Sequence, residues 1–145
     1  MLLDDVYAEY RHTRNTELTR SEFEELMCLI PVMLVAVSDQ NVDTIEMGYL
    51  TGLVHELTLE FHTAGSEEDI HRLKNLFLGE LQYLLRNMRY WEDKLLGATH
   101  QLLERDEALK KRVRVRMRAV AESSAGINSY EQQKINDLLT RLQMA

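Results

Sequence analysis

In the stretch SDQNVDTIEMGYL (38–50), Asp39, Asn41 and Asp43 stand at the first, third and fifth positions of an EF-hand calcium loop. Alternating oxygen-bearing side chains are what lets a short loop wrap a hard cation. The pattern then breaks, with Thr44 where a sharp turn needs Gly and Leu50 where the loop needs a bidentate Glu. Asp39, Asp43 and Glu46 still make a candidate metal set, three carboxylates that with water would hold a divalent cation such as calcium weakly. The same residues also read as a turn and a helix cap. Asp43 and Glu46 have capping-box spacing, in which each side chain accepts the other's backbone amide, and Asp39 and Asn41 are ordinary turn residues.

The second stretch with chemical potential is KKRVRVRMR (110–118). As a helix it spreads Lys110, Lys111, Arg112, Arg114, Arg116 and Arg118 over three sides, a footing for phosphates. The same charge can pair with acidic residues elsewhere in the chain or on a neighbour. These six are the candidate partner-binding residues. No nucleic-acid-binding motif accompanies them and the whole chain is negative, so a protein partner or a second copy ranks above nucleic acid.

Enzymatic constellations are thin. Two Glu-x-x-His pairs, Glu9–His12 and Glu68–His71, have the spacing of di-iron bundle ligands, but a chain with 16 Glu produces such pairs by chance. HELTLEFH (55–62) places Leu59, not His, four residues past His55, so it is no zincin. Cys28 stands alone between Met27 and Leu29, as a buried reduced thiol would. Gly-rich phosphate loops, nucleophile elbows and Cys/His zinc spacing are all missing from the sequence. The chain reads as no enzyme.

The elements that must hold these residues are helical. The 145 residues contain one proline and six glycines, 45% hydrophobic and 28% charged, as expected for one folded domain with long helices. The N-terminus has no signal-peptide pattern and no run is apolar enough to span a membrane, so the expected setting is cytoplasmic. Charge is uneven along the chain. Residues 1–85 carry 5 Lys/Arg and 16 Asp/Glu, a net of −11, whereas residues 86–118 carry 10 and 5, a net of +5. A first helix fits roughly 2–14, and the capping signal at Thr19–Glu22 opens a second with Phe23, Leu26, Ile30, Met33, Leu34 and Val37 on one face. A third begins at Asp43 and carries Ile45, Tyr49, Leu50, Leu53, Val54, Leu57 and Phe61 at helical spacing. Ser66 with Asp69 starts a segment running to about Glu104, as one helix or two with a bend.

Residues 36–57 align without a gap on residues 121–142, at a constant offset of 85. Ala36, Ser38 and Glu46 recur as Ala121, Ser123 and Glu131, and Asp43 recurs as the cap residue Asn128. Leu50, Leu53, Val54 and Leu57 recur as Ile135, Leu138, Leu139 and Leu142. Ser124 replaces Asp39, which a cap tolerates and a cation site does not. The expected architecture is all-α: a bundle of about seven helices in a single domain, 1–145. Its two repeated hairpins span about 22–62 and 107–144, around a central segment of about 67–104.

Ser38-Asp39, Val42 and Glu46, echoed by Ser123, Gly126, Ile127 and Glu131, resemble the pattern of the TerB-like (tellurite resistance) family. The resemblance covers two windows of about twenty residues and the helical layout. It implies a cytoplasmic bacterial setting and an acidic cation-binding face. The implied role is that of a non-enzymatic adaptor in stress or metal-oxyanion resistance. Two alternatives follow from the residues themselves: a nucleic-acid accessory protein using the basic helix, and a metal-dependent enzyme.

Overall fold

The structure is a computed structural model that describes residues 2–38, 43–61, 67–104, 106–123 and 127–144. Seven helices and no strand run through these residues. In chain order they are α1 (Leu2–Arg14), α2 (Arg20–Met27), α3 (Ile30–Ala36), α4 (Thr44–Phe61), α5 (Glu67–Leu103), α6 (Glu107–Glu122) and α7 (Ser129–Arg141). None of them is long and apolar enough to cross a membrane.

Side-chain caps decide where helices begin, because the first amides of a helix have no partner within it. Ahead of α2, Thr19 Oγ1 accepts from the Glu22 amide and Glu22 Oε1 accepts from the Thr19 amide at 2.9 Å. Asp43 and Glu46 make the same exchange ahead of α4, at 2.7 and 3.2 Å. Asn128 and Glu131 repeat it ahead of α7, at 2.8 and 3.1 Å. The proposed start at Ser66 lies outside the described residues.

Two interruptions have local causes. The helix expected after Thr19 is broken into α2 and α3, because Pro31 has no N–H to offer the Met27 carbonyl and its ring crowds that position. The Thr99 hydroxyl of α5 stands 3.0 Å from the stranded Met27 oxygen and 2.8 Å from its own Leu95 carbonyl. In α5 the bend falls at Asn87 (φ −123°, ψ 17°), whose side-chain amide donates to the Tyr83 carbonyl at 2.8 Å.

The sequence IPVMLVA of α3 is apolar on every side and all of it is buried, so α3 is the axis of the core. It contacts α5, α6 and α7. α1 runs antiparallel along α5, with Leu3 bonded to Gln101, Glu9 to Lys94, and Tyr10 and Arg14 to Glu80. Glu80 is 4% exposed and accepts from the Tyr10 hydroxyl at 2.6 Å and from Arg14 Nε at 2.9 Å. The Arg14 guanidinium lies over the Tyr83 ring, and Tyr83 Oη in turn accepts from Trp91 Nε1 at 2.8 Å. The buried carboxylate of α5 is therefore held by two side chains of α1, beside an aromatic cluster that both helices share.

The hairpins α3–α4 and α6–α7 are related by exchange. α3 packs on α6, and α3 touches α7 as α6 touches α4. Val113, Met117, Val120 and Ala121 are buried at the positions of Cys28, Val32, Val35 and Ala36, which are buried too. Ser38 and Ser123 each donate a hydroxyl to the carbonyl three residues back, Val35 and Val120, at 2.7 Å. Glu46 and Glu131 are both buried within their caps.

A candidate partner-binding groove between α4 and α6

The basic segment is helical, as α6, and its side chains have separate assignments. Arg114 Nη1 donates to the Met144 carbonyl at 3.0 Å, tying down the C-terminal turn. Lys110 pairs with Glu107 at 3.1 Å on the same helix, and Arg116 with Glu56 of α4 at 3.6 Å. Lys111, Arg112 and Arg118 are exposed and form no ion pair with the described residues. Of the six, Lys111, Arg112 and Arg116 are brought together on one wall of a groove of about 690 Å³, with Val115 between them. The remaining three are not part of it.

The opposite wall is α4, through Gly48, Tyr49, Gly52, Leu53 and Glu56. The two glycines are what makes room, since a Cβ on either meets nothing within 4 Å. Glycine in mid-helix costs stability, about 1 kcal/mol relative to alanine, and here the missing side chains buy open space rather than a tight contact. The groove also gathers apolar surface that the core does not use. Val115 is 59% exposed, and Ile45 (57%) and Leu59 (43%) continue the α4 face at helical spacing from Gly48 and Gly52. Ile45, one of the apolar residues at helical spacing, faces out one turn ahead of Gly48. The Phe61 side chain, at the end of that spacing, lies outside the described residues.

Electrostatics bind the basic wall to the acidic half of the chain. Burial raises the Glu25 pKa on α2, the Glu60 charge raises it further, and Arg112 and Arg116 pull it back. Burial likewise raises the Tyr49 phenol, with Arg116 opposing. Cys28 is buried nearby, and burial first, then the Glu25 carboxylate, pushes its thiol up to about 12. A thiol so protonated is no nucleophile at neutral pH.

The proposed cation ligands are divided. Asp39 lies outside the described residues. Asp43 and Glu46 each give one carboxylate oxygen to the other's amide, so the observed arrangement is that of the cap. Among the described residues, no group of three or more His, Cys, Asp or Glu is placed to share a metal ion. Glu9 is held by Lys94 at 2.6 Å and Tyr90 at 2.9 Å, and His12 points outward on α1. Glu68 and His71 are exposed in the opening turns of α5, not turned into the bundle as a di-iron site would need.

Sequence reasoning missed Gly48, Gly52 and Val115 as parts of a site. The available signal was Gly-x-x-x-Gly inside a helix, aligned in the repeat with Gln133 and Asp137. Those two residues, with Tyr130, Lys134 and Ser38, line a smaller hollow of about 280 Å³ on the other half. No family model, curated protein or solved structure matches the chain.

Proposed function

We propose that this chain is a non-catalytic helical binding module, an adaptor of the TerB-like kind, whose docking face is the groove between α4 and α6. The observation that carries the reading is the groove itself: open, floored by glycine, edged by exposed apolar side chains and by Lys111 and Arg112. Exposed apolar surface gathered in one hollow beside like charges suits a protein partner, whose apolar side chains would fill it while its acids meet the rim. A cytoplasmic, stress-associated role fits this reading and the pattern at Ser38, Val42 and Glu46. The nucleic-acid alternative draws on Lys111, Arg112 and Arg118, which are exposed without an ion pair among the described residues.

The test is to select peptides from a displayed random library on the native protein and on Gly48→Gln/Gly52→Asp. That variant installs in the first half the residues the second half uses, with no steric obstacle to either Cβ. The proposal expects peptides that bind the native protein and lose binding to the folded variant. Peptides indifferent to the change would contradict it. Steeply salt-dependent binding of duplex DNA or RNA, abolished by reversing Lys111, Arg112 and Arg118, would favour the alternative.

A further inference from the structure

We infer that the α4/α6 groove is occupied by α4 of a second copy of this chain, in a two-fold dimer. The inference rests on the proposed binding role of the groove and names its occupant.

The first support is internal. At the offset of 85, the α4 positions Tyr49 and Glu56 correspond to Lys134 and Arg141 of α7, and Arg112 of α6 corresponds to Met27. On that other half a helix lies across these positions. Glu92 Oε2 of α5 accepts from Lys134 and from Arg141, both at 3.2 Å, Asp93 accepts from Arg141 at 2.7 Å, and Thr99 reaches the Met27 carbonyl. Glu92 and Thr99 are two helical turns apart on one face, so a single helix bridges both walls. The face of α2 and α3 that corresponds to Lys111, Arg112, Val115 and Arg116 is Leu26, Met27, Ile30 and Pro31, all of it buried. The α4/α6 groove is open and lined by residues of those two helices. The second half thus shows a helix seated across the corresponding helices by acids paired with α7 and apolar contact with α2 and α3, whereas in the groove the basic side chains lie on the other wall, α6.

The second support is that the chain exposes a helix of that description. α4 carries exposed Ile45 and Leu59 at its two ends, the open glycines between them, and exposed Glu56 and Glu60. An isologous contact needs a patch that complements itself. Here two α4 helices can approach closely at Gly48 and Gly52, with Ile45 and Leu59 apolar on either side. The acids of each α4 then meet Lys111 and Arg112 of the other copy. Each copy gives and receives the same contacts.

Sedimentation velocity over a concentration series tests this with the protein alone. One variant makes the basic wall acidic, Lys111→Glu/Arg112→Glu; the other makes α4 basic, Glu56→Lys/Glu60→Lys. All four positions are exposed, and circular dichroism checks that each variant is folded. Like charges then face each other in either homodimer, and the dimer dissociation constant should rise at least about tenfold in each. Mixing the two variants places opposite charges at both contacts, so the mixture should dimerise. A native protein that stays monomeric throughout the series, or a mixture that fails to regain the dimer, overturns the inference. Should the monomeric protein still bind library peptides in a groove-dependent way, the second copy is wrong as occupant and the binding role stands. Should it do neither, both fail.

Discussion

Outside the apolar core, three capping boxes and the buried Glu80 carboxylate are the side-chain interactions most open to single substitutions. Asn128 is exposed and caps α7 through the Glu131 amide, so Asn128→Ala should cost about 1 kcal/mol in urea unfolding, a typical cap penalty. Asp43→Ala should cost a similar amount, about 1 kcal/mol, and by the same measure with or without calcium if the pair is only a cap. A calcium-dependent difference would revive Asp39, Asp43 and Glu46 as ligands. Glu80→Ala strands the Tyr10 hydroxyl and a partly buried Arg14, and should cost roughly 2 kcal/mol or more in the same experiment. Glu25 gives a pH prediction. Its carboxyl titrates above its ordinary value in the fold, chiefly because it is buried, so the folded protein holds the extra proton and loses stability as pH rises through that range. Glu25→Gln should therefore be more stable than the native protein at about pH 7, and the difference should close by about pH 3, below the ordinary Glu value. A variant less stable at neutral pH would mean that Arg112 and Arg116 outweigh burial.

At the scale of helices, the groove predicts a gain. Gly48→Ala and Gly52→Ala each remove a helix-weakening residue where the new methyl meets nothing, so each should stabilise the fold by roughly 0.5–1 kcal/mol in thermal or urea unfolding. Stabilising substitutions that weaken association would identify the glycines as residues kept for contact rather than for folding. Helix existence was legible in the sequence because caps and apolar periodicity are local: Thr19, Asp43 and Asn128 begin their helices as their side chains dictate. The break between α2 and α3 was not anticipated, although Pro31 marks it, because the apolar stripe continues through Pro31 without interruption. Ile45 was legible as part of the apolar spacing of α4 but not as an exposed side chain. Periodicity identifies an apolar face, but it cannot separate a face buried by the fold from one left for a partner.

For the molecule as a whole, the repeat was the most informative feature of the sequence, since an 85-residue offset relates both caps and most of the buried stripe. What the repeat could not disclose is asymmetry, because the filling of one seat by α5 depends on contacts between segments far apart in the chain. Gly48 and Gly52 already differ from Gln133 and Asp137 in the sequence, but only with the helices in place do they line a groove. The basic segment was legible as charge, and its division among a C-terminal tether, an intrahelical pair and a groove wall was not, because that division depends on the neighbours of α6. The central claim is that this groove is the face through which the chain associates. Its most direct measurement is the amide spectrum of 15N-labelled protein titrated with unlabelled native protein. The account predicts shifts along residues 45–59 of α4 and 108–116 of α6, with residues 130–141 of α7 unmoved. Shifts centred on α7, with α4 and α6 silent, would contradict it.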